Sequence, residues 1–232
     1  MHNRREFATK DIVLTALAAA LLSAGKQALA SIPNVEVVTL FIMLYAACFK
    51  PQIAFTVTGI FIVIECFIWG FNTWVFAYLI HWNLVALFTF ILARVIKVKN
   101  RFIYFAFTIV ITTAFGVLTS AIDAFVGWAK TGLSFGTLFI AVYVRGIYFY
   151  IVHVVGNAAF NITLFAPMRD LLDKLMIKYY GRNIFLKEND HRQILPSSES
   201  TSDAPSLTEA GARDTIDDNG CDADASAPPE NK

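Results

Sequence analysis

Titratable side chains and aromatic rings recur beside the long apolar runs of this sequence, where together they could bind a small solute. A flat heteroaromatic ligand would stack on tryptophan, and Glu65 and Asp123 would accept its N–H hydrogens. Charged side chains at membrane depth are costly, so they normally face a cavity or a partner. We predict that the following residues bind a substrate at one depth: Asn34, Glu36, Glu65, Trp69, Trp74, Tyr78, His81, Asp123, Trp128, Arg145, Tyr148 and His153.

Two structural interpretations compete with ligand binding. Single tryptophans are also typical of the aromatic belt at the lipid headgroups. Glu65, Asp123 and Arg145 could instead form internal ion pairs. Farther along the last apolar run, Asn157 and Asn161 are expected to join helices by hydrogen bonds rather than to touch a ligand.

A possible nucleophile and base form the alternative hypothesis of a rhomboid-like intramembrane serine hydrolase. Residues 132–136 read Gly-Leu-Ser-Phe-Gly, and a Ser134–His153 pair would supply the chemistry. The pattern is short, and its hydrolase form needs a strand–turn–helix context that this sequence lacks. We therefore predict that the chain is not an enzyme.

Cofactor and energy-coupling motifs are missing from the sequence. It has no GxxxxGK[ST] and no HExxH, and its three cysteines form no CxxC pair. We predict neither a cofactor nor a bound metal. If the chain takes part in transport, the energy must come from another subunit.

The elements that must position these residues are long apolar segments. The 232 residues are 56% apolar and only 16% charged, which is outside the range of soluble domains. A membrane-spanning helix needs about 20 mostly apolar residues. We predict an all-α membrane protein with six transmembrane helices, five being the main alternative, at residues 11–30, 35–49, 52–70, 73–96, 102–127 and 138–167.

Charge distribution indicates the orientation and the domains. Residues 1–189 contain 16 Lys and Arg against 8 Asp and Glu, whereas residues 190–232 contain 3 against 10. The net charge of +1 is thus a cancellation, and no nucleic-acid partner is indicated. Basic residues at alternate connections place both termini in the cytoplasm. We predict a membrane domain over residues 1–188, including a basic amphipathic extension from residue 169 that contacts membrane lipid, and a disordered acidic cytoplasmic tail over 189–232.

The first apolar run carries alanine at every fourth position. Ala16, Ala20, Ala24 and Ala28 lie one above another on a helix, and such a strip allows the close backbone approach that joins helices in lipid. The partner could be internal or external. A cleaved signal peptide ending at Ala30 is the alternative, but we expect the helix to be retained. Ala18, off the strip, is expected to tolerate leucine better than Ala16 or Ala20.

Three sequence blocks, together with the strip and the span count, carry a family resemblance. They are SIPNVEVVTLFIMLYAACF (Ser31–Phe49), ECFIWGFNTWVFAYLIHW (Glu65–Trp82) and HVVGNAAF (His153–Phe160). Over about residues 8–175 the chain resembles the substrate-specific (S) components of energy-coupling factor (ECF) transporters, which are small six-span bacterial membrane proteins.

The resemblance implies a function and partners. It implies a substrate-binding subunit in the bacterial cell membrane that captures a vitamin or vitamin-precursor-like micronutrient at its outer face. It also implies that Ala16, Ala20 and Ala24 dock on a transmembrane T component, and that two ATPase subunits complete the complex. The substrate's identity stays open, and a membrane scaffold without a ligand is a third hypothesis.

Overall fold

The computed structural model describes residues 8–98 and 100–181, and the regular structure in these ranges is entirely helical. Two short π-helical segments, Ile91–Val95 and Asn161–Phe165, continue the fourth and sixth helices. The prediction of an all-α chain is confirmed for this part of the sequence. The α-helices are α1 (Thr9–Ala28), α2 (Val38–Cys48), α3 (Pro51–Trp69), α4 (Trp74–Phe90), α5 (Arg101–Thr131), α6 (Phe135–Phe160) and α7 (Ala166–Tyr180).

Several of these helices are long and apolar enough to cross a membrane. Within the described ranges, five helical segments meet that condition: Thr9–Ala28, Pro51–Trp69, Trp74–Val95, Arg101–Thr131 and Phe135–Tyr180. Each overlaps one of the predicted spans, and the last extends beyond its predicted end to Tyr180. Helices of this length and composition are expected of a membrane protein.

The second predicted span is a much shorter helix than the others. Helix α2 has 11 residues, so it is about 16 Å long, against about 30 Å for the hydrocarbon core of a bilayer. All of its residues except Phe41 are buried. A helix that is apolar on every side is expected at the centre of a bundle, and α2 contacts α1, α3, α4, α6 and α7.

Local sequence signals account for the helix boundaries. Pro51 begins α3, where a missing backbone N–H costs no hydrogen bond. Gly132 ends α5 in the left-handed conformation, with φ of 69°. Asn100 caps the start of α5 by accepting a hydrogen bond from the Phe102 backbone N–H at 2.9 Å.

Helices α5 and α6 pack closely because two glycines make room for one ring. A Cβ added to Gly116 or to Gly146 would lie 2.7 or 2.6 Å from the Tyr150 side chain. The Tyr150 hydroxyl lies 2.8 Å from Ser120 Oγ across the two helices. In contrast, half of the residues of α6 are exposed, and its buried residues are His153 and Asn157. These two polar side chains therefore mark the face of α6 that meets the bundle.

The predicted basic extension is helical as far as Tyr180 and contacts the bundle. Met176 of α7 is buried against the core, and the hydroxyl of Tyr180 donates a hydrogen bond to Asp11 of α1 at 2.6 Å. Residues 182–188 of the predicted membrane domain and the predicted tail 189–232 lie outside the described residues.

Candidate functional site

A cavity of about 340 Å³ opens at one end of the bundle. We call this the Lys26 end. Its walls come from the C-terminal end of α1, the connection to α2, the C-terminal end of α3 and the start of α4. The volume lies at the small end of the range for ligand pockets. The lining residues are Lys26, Leu29, Ala30, Ile32, Pro33, Asn34, Val35, Glu36, Glu65, Trp69, Trp74 and Tyr78.

The chain turns sharply at two places to form these walls. Gly70, with φ of 79°, ends α3 and lets the chain enter α4 within a few residues, so Trp69 and Trp74 line the same cavity. Asn34 has φ of 58°, a conformation that asparagine adopts more readily than most residues. The Asn34 carbonyl oxygen then lies 3.4 Å from His153 Nδ1 on α6.

A buried ion pair occupies one wall of the cavity. Glu65 is 0% exposed, and its carboxylate pairs with the ammonium of Lys26. Lys26 also donates to the hydroxyl of Tyr78 at 2.9 Å, and Gln27 Nε2 donates to Glu65 Oε1 at 3.1 Å. The Lys26 ammonium lies 4.8 Å from the centroid of the Tyr78 ring. Both oxygens of Glu65 are therefore used within the protein, as the competing ion-pair interpretation anticipated.

Glu36 differs from Glu65 in having an unused acceptor. Its Oε2 atom is buried, and no described residue gives it a hydrogen bond. Tyr78 and His153 lie within electrostatic range of this carboxylate. A buried acceptor without a donor is costly, so such an atom indicates a place for a water molecule or a ligand.

An aromatic layer lies behind the cavity wall. The Phe115 ring of α5 lies 4.7 Å from His81 and 5.2 Å from His153, centroid to centroid, and 6.1 Å from Tyr78. His81 and His153 are each 2% exposed. Among described residues, neither the Nε2 of His81 nor that of His153 has a hydrogen-bond partner. The two predicted histidines are thus buried in this layer and are not among the lining residues.

The remaining predicted site residues lie outside the cavity. Asp123 of α5 is exposed and accepts a hydrogen bond from Thr73 Oγ1 at 2.7 Å. Trp128, Arg145 and Tyr148 are exposed on α5 and α6. The structure leaves all three side chains exposed and does not bring them to the cavity.

The sequence analysis did not predict six of the lining residues, of which Lys26 is the charged one, nor Phe115 of the aromatic layer. Lys26 lines the cavity and pairs with Glu65, and Phe115 contacts both histidines. The sequence did contain a signal for this pair, because Lys26 lies near the end of the first apolar run and Glu65 near the end of the third. Phe115 stands among many phenylalanines, and nothing in its spacing distinguishes it.

The geometry does not support the hydrolase pair. Ser134 precedes α6 directly and is exposed, whereas His153 is buried within the same helix. Nineteen residues of one helix separate them, which corresponds to about 28 Å along its axis. No hydrogen bond can join two side chains at that separation.

The alanine strip lies on the outside of the described bundle. Ala16, Ala20, Ala24 and Ala28 are all exposed, whereas Ala18 is 4% exposed and packs in the core. The expectation that Ala18 tolerates leucine better is therefore wrong, because added atoms there would overfill a packed interior. Beside the strip, an apolar groove of about 630 Å³ is lined by residues of α1, α2 and α7, among them Val13, Leu17, Leu21, Leu172 and Leu175.

Metal binding and known relatives complete the description of the site. Within residues 8–98 and 100–181, no three His, Cys, Asp or Glu side chains form a group that could hold a metal ion. The chain matches no protein-family model, no curated protein and no solved structure. Any functional conclusion therefore depends on the residues and their geometry.

Proposed function

We propose that this chain is the membrane-embedded substrate-binding subunit of an ECF-type importer for a vitamin or vitamin-precursor-like micronutrient. In this proposal the chain has six transmembrane helices, α2 being short and central. Both termini lie in the cytoplasm, and the protein resides in a bacterial cell membrane. The T component and two ATPase subunits are its partners.

The observation that carries the proposal is the combination of two features on α1. The alanine strip is exposed along the outer face of this helix, while Lys26 near its C-terminal end helps to line the cavity. A strip of small residues that the protein's own helices leave uncovered is suited to close contact with a helix of another subunit. The groove beside the strip adds apolar surface to this face.

The cavity supports a binding role rather than a catalytic one. Carboxylate, amide and aromatic side chains converge on a volume that suits a small molecule. The hydrolase alternative lacks a serine close to its proposed base, since Ser134 and His153 are far apart on one helix. The scaffold hypothesis does not account for a cavity lined by a carboxylate whose oxygen accepts no hydrogen bond from a described residue.

Co-purification tests the proposal directly. The full chain carries an affinity tag, is extracted from the membranes of its own cells, and the bound proteins are identified by mass spectrometry. We expect a multispanning membrane protein together with ATPases that contain the GxxxxGK[ST] motif. Their absence from repeated preparations of stable protein would contradict the importer assignment.

Leucine substitutions locate the docking face. Ala16→Leu combined with Ala20→Leu should abolish co-purification of the ATPases and uptake, while expression and ligand binding persist, because leucine is tolerated on a lipid-facing surface. Ala106→Leu with Ala114→Leu is the matched control, since both alanines are exposed on α5. Ala18→Leu should instead destabilise the fold by about 1–3 kcal/mol. Normal assembly of the Ala16 and Ala20 double variant would show that the strip is not the docking face.

A further inference from the structure

The charges that line the cavity do not cancel. Among its described lining residues, three have side chains with a formal charge: Lys26, Glu36 and Glu65. Lys26 and Glu65 form an ion pair, and further hydrogen bonds from Lys26 to Tyr78 and from Gln27 to Glu65 hold both groups in place. The negative charge of Glu36 is left over.

This remaining carboxylate belongs to a residue that lines the cavity. Glu36 is half-buried in the connection between α1 and α2, and its Oε2 atom accepts no hydrogen bond from any described residue. An ionised carboxylate accepts N–H hydrogens most strongly from a cation. The position therefore favours a positively charged donor over a neutral one and excludes an anion.

Aromatic rings supply the rest of the recognition surface. Trp74 packs edge-on against Tyr78, with the ring centroids 4.9 Å apart. Trp69 remains 58% exposed at the mouth of the cavity. Tryptophan faces attract cations and stack on flat rings, so they favour a cationic ligand, as the carboxylate does.

We propose that the cavity selects a small, flat, monocationic molecule whose charged N–H group binds Glu36 and whose ring packs on Trp69 and Trp74. This inference rests on the proposed binding function and specifies its substrate class. In this inference Lys26 and Glu65 stabilise the cavity wall through their ion pair and do not bind the ligand. The carboxylate that serves the ligand is then Glu36, not Glu65 or Asp123 as the sequence alone suggested.

A charge series of matched probes tests the inference. The full chain, in nanodiscs at pH 7, is titrated calorimetrically with benzamidinium, benzamide and benzoate, which share one size and shape but carry charges of +1, 0 and −1. Empty nanodiscs give the background from partitioning into lipid. We expect benzamidinium to bind about ten- to a hundredfold more tightly than benzamide, and benzoate not to bind.

Variants assign the effect to Glu36. Glu36→Gln should remove the difference between benzamidinium and benzamide, and Glu36→Asp should keep the preference at reduced affinity. Asp123→Asn removes an exposed carboxylate outside the cavity lining and should leave all three titrations unchanged. Equal binding of benzamidinium and benzamide, binding of benzoate, an unchanged preference in Glu36→Gln, or no saturable binding at millimolar benzamidinium would each overturn the inference.

The outcome is independent of the partner experiment. The titrations use the isolated chain, so failure to co-purify ATPases would remove the importer assignment without changing the measured charge preference. Conversely, an assembled importer whose binding subunit prefers benzoate would retain the proposed function and lose this substrate class.

Discussion

The two ends of the helix bundle use charge differently. At the Lys26 end, a carboxylate oxygen of Glu36 has no donor among the described residues, and Trp69 lies exposed beside it. At the opposite end of α1, the carboxylate of Asp11 accepts hydrogen bonds from Lys50 at 3.1 and 3.2 Å and from Tyr180 at 2.6 Å. The Lys26 end therefore has a carboxylate oxygen that accepts no hydrogen bond from a described residue, whereas the Asp11 carboxylate at the other end is hydrogen-bonded within the protein.

Further contacts join helices at the Asp11 end, by which we mean the end of the bundle that holds the N-terminal end of α1. Arg94 donates to the backbone carbonyls of Ala47 and Phe49 at 3.0 and 2.8 Å, which satisfies acceptors at the end of α2. Arg169 donates to the hydroxyl of Tyr104 at 3.2 Å. These bonds join the π-helical continuation of α4 to the end of α2, and α7 to α5. Charged residues at this end therefore stabilise the arrangement of helices, and those at the Lys26 end additionally shape a cavity.

The largest effect is expected from breaking the ion pair at the Lys26 end. Lys26→Met would leave the fully buried carboxylate of Glu65 without its cation, which typically costs about 3–5 kcal/mol. Thermal unfolding of the purified protein in detergent, followed by fluorescence, should show a strongly lowered midpoint.

A double variant separates the ion pair from the shape of the side chains. Lys26→Met with Glu65→Met removes both charges and should recover much of the lost stability, because no buried charge remains unpaired. A single Lys26→Met variant as stable as the original protein would show that Glu65 does not depend on this partner.

A smaller loss is expected at the Asp11 end. Asp11→Ala removes the acceptor of Lys50 and Tyr180, but the Lys50 side chain is 25% exposed and can be solvated in part. We expect destabilisation by about 2–3 kcal/mol, with the benzamidinium affinity at the far end unchanged. Asp170→Ala, at an exposed position of α7, is the control and should change stability by less than about 0.5 kcal/mol. A changed benzamidinium affinity in Asp11→Ala would mean that the two ends are not independent.

The helices could be predicted from the sequence, but the direction in which each faces could not. Apolar segments of membrane length are a strong signal, and the structure places helices in all of them. The second predicted span was already the shortest, but lipid and protein neighbours are equally apolar, so hydropathy did not show that α2 lies at the centre of the bundle. The same ambiguity led to the wrong expectation for Ala18, since the alanine period defines a shared face without saying which face meets the core.

The sequence predicted which ends of the apolar runs contribute to the site, but not the direction in which each side chain faces. Position along a span placed Glu65, Trp69 and Trp74 at one end, and the structure brings them to one cavity. Arg145 and Tyr148 were expected at the same depth, but they are exposed on α6, eight and five positions before His153. Each helical residue turns the side-chain direction by about 100°, and only packing between helices decides which direction is inward.

The smallest effect is expected at Ser134, in the connection between α5 and α6. Ser134 is exposed before α6, and its hydroxyl caps no backbone group in the described part of the helix. Ser134→Ala should therefore change stability by less than about 0.5 kcal/mol and leave complex assembly and uptake intact. Ser120→Ala is the matched control. Ser120 Oγ is buried 2.8 Å from the Tyr150 hydroxyl, so this change should cost about 1 kcal/mol.

A fluorophosphonate probe, which labels nucleophilic serines, should give no adduct at Ser134. Labelling at Ser134, or loss of function in a well-expressed Ser134→Ala variant, would restore the hydrolase hypothesis. Because His153 is far from Ser134, a different residue would then have to act as the base.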